Sequence, residues 1–575
     1  MSSTSLLIHA GQASKAGIKS INQDAIGYLV PAGAKRDSKG IIAALADGIS
    51  SSDVSQIASE TAINTFIEDY LATSETWTVQ TASQRVISAL NHWLYAQNRN
   101  GPYRYDMNKG YVCTFSSVIL KGEFAHLVHV GDSRIYRLRQ QQLEQLTRDH
   151  RVINSEGKSY LSQALGAAEL ISIDYQSVPL QAGDQFILAT DGVYEFVPAE
   201  SVRRICSDFS PDMAAERLVE LALENGSDDN LSVIILEVAQ VPQQVMSRPY
   251  QEDLQLPFCP PLSEGTEIDG LRIERQLYTS NRSHVFLATE INTHQALVLK
   301  VPSTEMQGED DHIERLLLEE WLASRIHHPN VIKPFQPAQP RTALYSVSEY
   351  FNGQTLQQWM LDNPSPSLET VRSIIEQIGK GLQAMHRLQM LHQDIRPANI
   401  MIDQTGRVKI LDFGSVWAAG LEENTLFTST QILGTAQYTA PEYFLEEPGS
   451  ASSDIFSLGV ICYQMLGGEL PYGSRVSACR TRKAQQRLSY KSLLHEDRAI
   501  PAWFEDTLKR ALAIDPSKRY QELSEFLYDL RQPNPTYLRK SRPPLIDRDP
   551  VMFWQGLSAL LTLLLILSFA WHSQA

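Results

Sequence analysis

The sequence predicts an α+β multidomain chain, with two folded regions followed by a single C-terminal transmembrane helix. Three observations lead there. At 575 residues the chain is longer than one hydrophobic core supports. Strand-like and helix-like patterns interleave without the regular rhythm of a doubly wound parallel sheet. Pro-rich stretches near 241–263 and 532–550 break the periodic sequence, and an uncharged apolar run closes it.

In the region 1–240, FAHLVHV (124–130) alternates as a strand does, RIYRL (134–138) continues the pattern, and QFILAT (185–190) reads as a buried strand. Ser210 as cap, Pro211 at the first helical position, Leu218 and Leu221 on one face and Asn225-Gly226 at the end mark a helix. A Pro/Gln-rich linker over 241–263 follows. The region 264–531 opens with strands, HVFLATE and ALVLKV, and then turns helical. There Val371, Ile374, Ile375, Ile378, Leu382 and Met385 recur at helical spacing. A basic, Pro-rich linker spans 532–550.

The run 551–571, VMFWQGLSALLTLLLILSFAW, carries no charge, and about 20 apolar residues span a bilayer core as a helix. A buried core helix is the alternative, but polar interruptions at helical spacing would then be expected. Trp554 and Trp571 stand where interfacial aromatics belong. Arg539, Lys540, Arg542 and Arg548 precede the run, so both folded regions are expected on the cytoplasmic side of a membrane, a bacterial inner membrane being the natural setting.

The formal net charge of −16 argues against nucleic acid as a partner. Five cysteines, at 113, 206, 259, 462 and 479, are odd in number and never in CxxC spacing. That argues against a disulfide framework or a zinc site and suits a reducing compartment. The N-terminus lacks the basic and apolar segments of a signal peptide.

Chemistry enters with the acidic residues of the first region. Asp24 (NQDA), Asp47 (ADGIS), Asp132 (GDSRIY), Asp191 (ATDGVYE) and Asp229 (SDDNLS) fall at strand ends or in turns. Any one of them is explained by the turn preference of aspartate. Five together suggest hard-cation ligands gathered at one edge of a sheet. In order and wording, residues 5–240 resemble the metal-dependent protein phosphatases of the PPM, or type 2C, family.

That resemblance implies a β-sandwich flanked by helices, two Mn²⁺ or Mg²⁺ ions, and a metal-bridging water that attacks phosphoserine or phosphothreonine. Asp47 would bridge the metals and Gly48 lend a carbonyl. Asp191 and Asp229 would complete one site, and Asp24 would position water at the other. Asp132 and Glu195 would sit where some members hold a third, weaker metal. Two cations clamp a phosphate and lower the pKa of the attacking water without a covalent intermediate. Lys19 stands where the family has a phosphate-gripping Arg, keeping the charge but losing the bidentate fork. Gln23 replaces a Glu that binds metal-coordinated water, and Ser50-Ser51 replace a Gly pair.

HQDIRPANIMID (392–403) and VKILDFGS (408–415), with GTAQYTAPE and SDIFSLGV downstream, give the strongest signal. A base, a metal-binding amide five residues on, and a metal-binding carboxylate before Phe-Gly occur together. Residues 266–531 resemble the eukaryotic-type Ser/Thr protein kinases, which implies a two-lobed fold, ATP and Mg²⁺. Asp394 would orient or deprotonate the substrate hydroxyl, while Asn399 and Asp412 would hold Mg²⁺. Lys300, paired with Glu319, would contact the α- and β-phosphates, and Arg396 would contact the transferred phosphate. The glycine-rich phosphate loop reads YTSNRSHV, with Tyr278, Ser280 and Ser283 in the glycine positions, Arg282 as a side-chain substitute, and Val285 closing the motif. Glycine lets backbone N–H groups approach phosphate closely, so this loop should cover ATP less well. Gln393 replaces the Arg that receives an activation-segment phosphate, so Thr425, Thr428, Ser429 and Thr430 need not be phosphorylated for activity.

Two functions stay open at this point: a bifunctional signalling enzyme, with both domains active on Ser/Thr, or a phosphatase regulated by a nucleotide-binding pseudokinase. Expected partners are protein and phosphoprotein substrates, the chain's own kinase domain among them. A flexible linker of about 20 residues spans roughly 25 Å and would favour dephosphorylation within one molecule.

Overall fold

The run IIAALAD shows no alternation, as a strand covered on both faces should not. In the computed structural model, which describes residues 6–153, 159–242, 253–280, 282–306, 310–422, 437–494, 500–535 and 550–572, this run is β3 (Ile41–Asp47) and is buried along nearly its whole length. Its sheet also holds β2 (Asp24–Leu29), β4 (Phe115–Lys121), β5 (Phe124–Val130) and β10 (Asp174–Pro179), in the order β10-β5-β4-β3-β2. A second sheet, β1-β12-β11-β6-β7, contains β1 (Leu7–Lys15), β6 (Arg134–Arg139), β7 (Gln142–Gln145), β11 (Gln185–Ala189) and β12 (Leu231–Gln240). A small hairpin, β8 (Arg151–Ile153) and β9 (Ser159–Leu161), stands apart.

Three apolar layers hold this first domain. Leu45, Val118, Leu127, Phe186 and Ile234 fill the space between the sheets. The helices Ser55–Ala72 and Val79–Asn100 cover the β3 sheet with Phe66, Tyr70 and Leu90. The helices Ala199–Asp208 and Pro211–Glu224 cover the other sheet. The domain is therefore a β-sandwich flanked by helices, as the resemblance implies. The predicted helix at Pro211 forms, although its Ser210 cap makes no side-chain hydrogen bond.

The second domain has two lobes. A five-stranded antiparallel sheet runs through β13 (Glu267–Ile268), β14 (Leu271–Thr279), β15 (Ser283–Glu290), β16 (Ala296–Pro302) and β17 (Ser346–Glu349) in sequential order. The helix Asp310–Ser324 packs beside it. The larger lobe is helical, built on Leu368–Arg387 and the almost wholly buried Ala451–Gly467. Part of the expected linker is not a loose tether: Phe258 bridges Leu344, and Cys259 is buried in the core of the small lobe.

A buried ion pair ties the larger lobe together. Arg519 and Glu442 bond bidentately at 2.7 and 2.8 Å, and both side chains are shut off from water. Removing one member leaves the other charge unpaired. Glu442→Ala is therefore expected to lower second-domain stability by about 3–5 kcal/mol, measured by chemical denaturation.

The expected transmembrane helix is corrected. A helix does run over Pro550–His572, but among the described residues no helix is long and apolar enough to cross a membrane. Where its side chains are described, Gln555, Ser558 and Thr562 interrupt the apolar surface.

The two domains touch through Glu75–Thr81 and Lys121 of the first. Lys121 closes β4, whose Leu120 pairs with Ile41 and whose Ser116 pairs with Leu45. Asp47 therefore lies at the opposite end of the same sheet, about 20 Å away along a seven-residue strand.

Candidate active sites

Register gathers the acidic residues. Asp24 opens β2, Asp47 ends β3, and the two are direct antiparallel partners, so their side chains share one face at close range. Asp191 follows β11, Asp229 precedes β12, and these two strands are paired. Asp132 lies in the turn from β5 to β6. Main-chain bonds fix the edge: Asp47 N–H donates to Thr114 Oγ1 at 3.0 Å, and Thr114 N–H donates to the Asp47 carbonyl at 2.8 Å. Gly48 is packed so tightly that a Cβ would lie 2.8 Å from the Gln23 carbonyl oxygen and from Ser55 Cβ.

Burial and mutual repulsion dominate the electrostatics. Desolvation, with Asp24, Asp191, Asp132 and Asp229 around it, pushes the Asp47 carboxyl well above its ordinary pKa. Burial lifts Asp24 to about 6. Burial, reinforced by Asp132 and Asp229, lifts Asp191 to about 7. Asp24 Oδ2 accepts from Thr190 Oγ1 at 3.1 Å, while its buried Oδ1 has no hydrogen-bond partner among the described residues.

Among the described residues no three Asp, Glu, His or Cys side chains stand close enough to hold a metal as they are set. Two basic side chains reach into the edge instead. Lys19 pairs with Asp229 and donates to Ser50 Oγ at 2.9 Å. Arg151, the first residue of β8, donates to Asp132 at 2.6 Å, Glu195 at 3.1 Å and Asp191 at 3.3 Å. Burial decides how these facts combine, because a monovalent ammonium and a guanidinium at the rim leave Asp24 and Asp47 uncompensated beneath them. An all-oxygen donor set with an orphaned buried carboxylate oxygen fits hard divalent cations. Asp47, Gly48, Asp191, Asp229 and Asp24 are the residues that would hold them. Bound there, such ions supply a water of lowered pKa and charge stabilisation for a phosphoryl group. Asp132 and Glu195, where the resemblance implies a third, weaker metal, both accept from Arg151 in this arrangement.

Lys19 therefore lies beside the expected ligand Asp229, where its charge can face a phosphate. Gln23 points away, donating to the Ser52 carbonyl at 2.6 Å and Ser55 Oγ at 2.8 Å. Arg151 escaped the sequence reading because nothing in DHRVI marks a basic residue as facing a site formed by strands far away in sequence.

In the second domain β15 pairs with β16 so that Val285 lies opposite Lys300. Lys300 Nζ meets Glu319 Oε2 at 2.7 Å, and Glu319 Oε1 also accepts from Phe413 N–H at 3.4 Å. Burial opposes the Lys300 ammonium, but the Glu319 and Asp412 carboxylates outweigh it and hold its pKa above the ordinary lysine value. Asn399 donates to both the carbonyl and the Oδ2 of Asp394 at 2.9 Å. Arg396 Nε lies 3.4 Å from Asp394 Oδ2 and makes no hydrogen bond among the described residues. Asp412 has φ 61°, and its Oδ1 accepts from Gly414 N–H at 3.2 Å. The expected catalytic and Mg²⁺-binding residues thus converge between the lobes.

Asp454, which the sequence reading passed over, positions this loop: it accepts from the main-chain N–H groups of His392 and Gln393 at 3.0 Å, and its Oδ2 bonds His386 at 2.9 Å. Ser280 Oγ accepts from Ser283 N–H at 3.1 Å and Arg282 N–H at 3.3 Å, so a side chain occupies donors that a glycine-rich loop offers to phosphate. Tyr278 is exposed. Thr425, Thr428, Ser429 and Thr430 lie outside the described residues.

Comparison with known proteins bears on both domains. Residues 12–225 match the protein phosphatase 2C family, and residues 272–527 match the protein kinase domain family. The serine/threonine-protein kinase PrkC of Bacillus subtilis is 27% identical over 268 residues, 46% of this chain and 41% of that protein. PknB of Mycobacterium tuberculosis is 31% identical over 257 residues, 43% of this chain and 40% of that protein. The chain thus spans about two-fifths of the length of these curated relatives. Among solved structures, the M. tuberculosis phosphatase PstP/Ppp is 25% identical with a TM-score of 0.35, covering 41% of this chain and all of that one. The S. agalactiae serine/threonine phosphatase is 23% identical with a TM-score of 0.36, covering 40% of this chain and all of that one. The cofactors that go with the two families are Mn²⁺ or Mg²⁺ for the first and ATP with Mg²⁺ for the second. One chain therefore joins a type 2C protein phosphatase domain to a Ser/Thr protein kinase domain.

Proposed function

We propose that the chain is a bifunctional signalling enzyme that phosphorylates protein Ser/Thr hydroxyls and hydrolyses protein phosphoserine and phosphothreonine. The observation that carries the kinase half is the set of contacts linking Lys300 with Glu319 and Asn399 with Asp394. On this reading Asp394 receives the hydroxyl proton, Arg396 faces the transferred phosphate and Lys300 neutralises the nucleotide. In the phosphatase half Lys19 orients the phosphoryl group, and the Asp24–Asp47 edge holds the divalent ions.

The pseudokinase reading draws on Ser280, whose side chain takes up loop N–H groups. Against it, a domain that only binds nucleotide has no use for a base aligned by Asn399. Incubating the full chain with ATP, Mg²⁺ and casein decides between them: ADP formation that depends on casein supports the kinase, and its absence with nucleotide bound supports the pseudokinase. Placement in a reducing compartment, the cytoplasm, suits the free thiols of Cys113, Cys206, Cys259 and Cys462, all buried.

The chain's own kinase domain is a natural phosphatase substrate, but between molecules. The acidic edge lies at the far end of the sheet from the docked kinase domain, and part of the linker is packed on the small lobe. Loss of pre-installed label from the kinase domain is therefore expected to speed up in proportion to protein concentration. A rate independent of concentration would show that one molecule serves itself.

A further inference from the structure

The contact between the domains is more specific than a tether requires. Gly420 N–H donates to the Thr76 carbonyl at 2.9 Å, and the Gly420 carbonyl accepts from Lys121 Nζ at 2.9 Å. Both main-chain groups of one kinase residue are thus held by the phosphatase domain. The approach tolerates only glycine: a Cβ at 420 would lie 2.5 Å from the Trp77 carbonyl oxygen and 2.7 Å from that of Glu75. Lys121 is 1% exposed, so its ammonium has been withdrawn from water at this contact.

Next to it, Gln389 is gripped from both sides. Its Oε1 accepts from Thr78 N–H at 2.9 Å, and its Nε2 donates to Thr81 Oγ1 at 2.8 Å. Thr76 Oγ1 donates to the Leu388 carbonyl at 2.6 Å, and Trp77 Nε1 to that of Arg387 at 3.0 Å. Arg325 reaches Glu75 Oε2 at 2.7 and 3.1 Å.

The kinase elements on this surface are those that decide competence. Arg325 directly follows the helix that carries Glu319. Gly420 lies in the short helix Ala419–Glu422, downstream of Asp412 and at the start of the activation segment. Gln389 couples the two regions, because its carbonyl accepts from Ala419 N–H at 3.1 Å. Kinase activity requires the Lys–Glu pair and the metal-binding Asp in place, which helix position and an activation-segment phosphate ordinarily control. Here Gln393 cannot pair with such a phosphate as an arginine would, so another device must set those elements.

We propose that the phosphatase domain has a second, non-hydrolytic function as a built-in activator of the kinase domain, clamping the Glu319 helix through Arg325 and the activation segment through Gly420. The docked arrangement is the one in which Lys300 and Glu319 are joined. The proposal rests on the kinase reading above.

The test uses the full chain and follows ADP formation with casein, which hydrolysis of the product cannot mask. Gly420→Val closes the space the clamp needs, and Glu75→Arg reverses the half-buried ion pair at its edge. Each is expected to lower ADP formation roughly five- to 150-fold, the range of ordinary site-to-site coupling. Mn²⁺-dependent hydrolysis of p-nitrophenyl phosphate should stay unchanged, which reports that the phosphatase domain remains folded. Amide exchange over residues 310–324 should accelerate in both variants, and Arg325→Glu should restore the Glu75→Arg variant. Unchanged or higher ADP formation in both variants overturns the clamp. If the parent chain forms no ADP, the kinase reading falls, and amide exchange alone decides: acceleration on undocking upholds the clamp, and no change overturns it.

Discussion

Asp394→Asn in the full chain is expected to lower casein-dependent ADP formation by about 10²- to 10⁴-fold, the usual contribution of a positioned general base. The substitution keeps the shape and the bonds to Asn399, which already reaches both the Asp394 carbonyl and Oδ2. Only the capacity to take a proton is lost. Nucleotide affinity, measured by calorimetry with ATP and Mg²⁺, should hold, because Lys300, Asn399 and Asp412 are untouched. A variant that retains more than about a tenth of parental turnover would remove Asp394 from the reaction, since one tenfold step is only ~1.4 kcal/mol of barrier.

Asp47→Asn should abolish phosphatase activity while making the metal-free chain more stable. The expected loss of p-nitrophenyl phosphate hydrolysis at saturating Mn²⁺ is about 10³-fold, several kcal/mol of charge stabilisation withdrawn from the transition state. The stability effect follows from linkage. Burial raises the carboxyls of Asp24 to about 6 and Asp191 to about 7, and Asp47 moves in the same direction. Between the unfolded value near 4 and these folded values the native state binds more protons than the unfolded state. Stability of the metal-free chain therefore falls as pH rises through that window, and at pH 8 the whole repulsion is present. Replacing one carboxylate by an amide relieves part of it. Thermal unfolding with chelator at pH 8 should shift upward in Asp47→Asn, and the difference should shrink at pH 5. A downward shift at pH 8 would mean that Asp47 is a structural residue and not one of a crowded set awaiting cations.

Much of this was legible in the sequence because it is local. The helix over Leu368–Arg387 follows from apolar residues on one face and Ser367 at its cap. The order HQDIRPAN then DFG fixes Asp394, Asn399 and Asp412 on adjoining turns, and GTAQYTAPE supplies the buried Glu442. The five aspartates could be gathered on paper because each stands at the end of an apolar run, and strand ends of one sandwich face meet. What stayed hidden were partners supplied by distant strands. Arg151 faces Asp132, Asp191 and Glu195 only because β8 folds back over that edge, and no periodicity in residues 148–153 announces it. Asp454 looked like one more polar residue at the start of a helix, yet it holds the catalytic loop by two main-chain N–H groups. The apolar C-terminal run shows the opposite error, where composition alone suggested more than the described helix carries.

The sequence by itself determined the two chemistries, because the residues that define each family fall in short, ordered motifs whose spacing is set by single turns and strand ends. The tertiary structure alone decided how the two halves relate. Gly420, Gln389 and Arg325 carry no motif, and Glu75–Thr78 is an ordinary connection between two helices, with Thr81 in the first turn of the second. Their meaning comes from main-chain groups that meet across the domain boundary, where donor, acceptor and the room for a Cβ depend on approach distances that no one-dimensional pattern encodes.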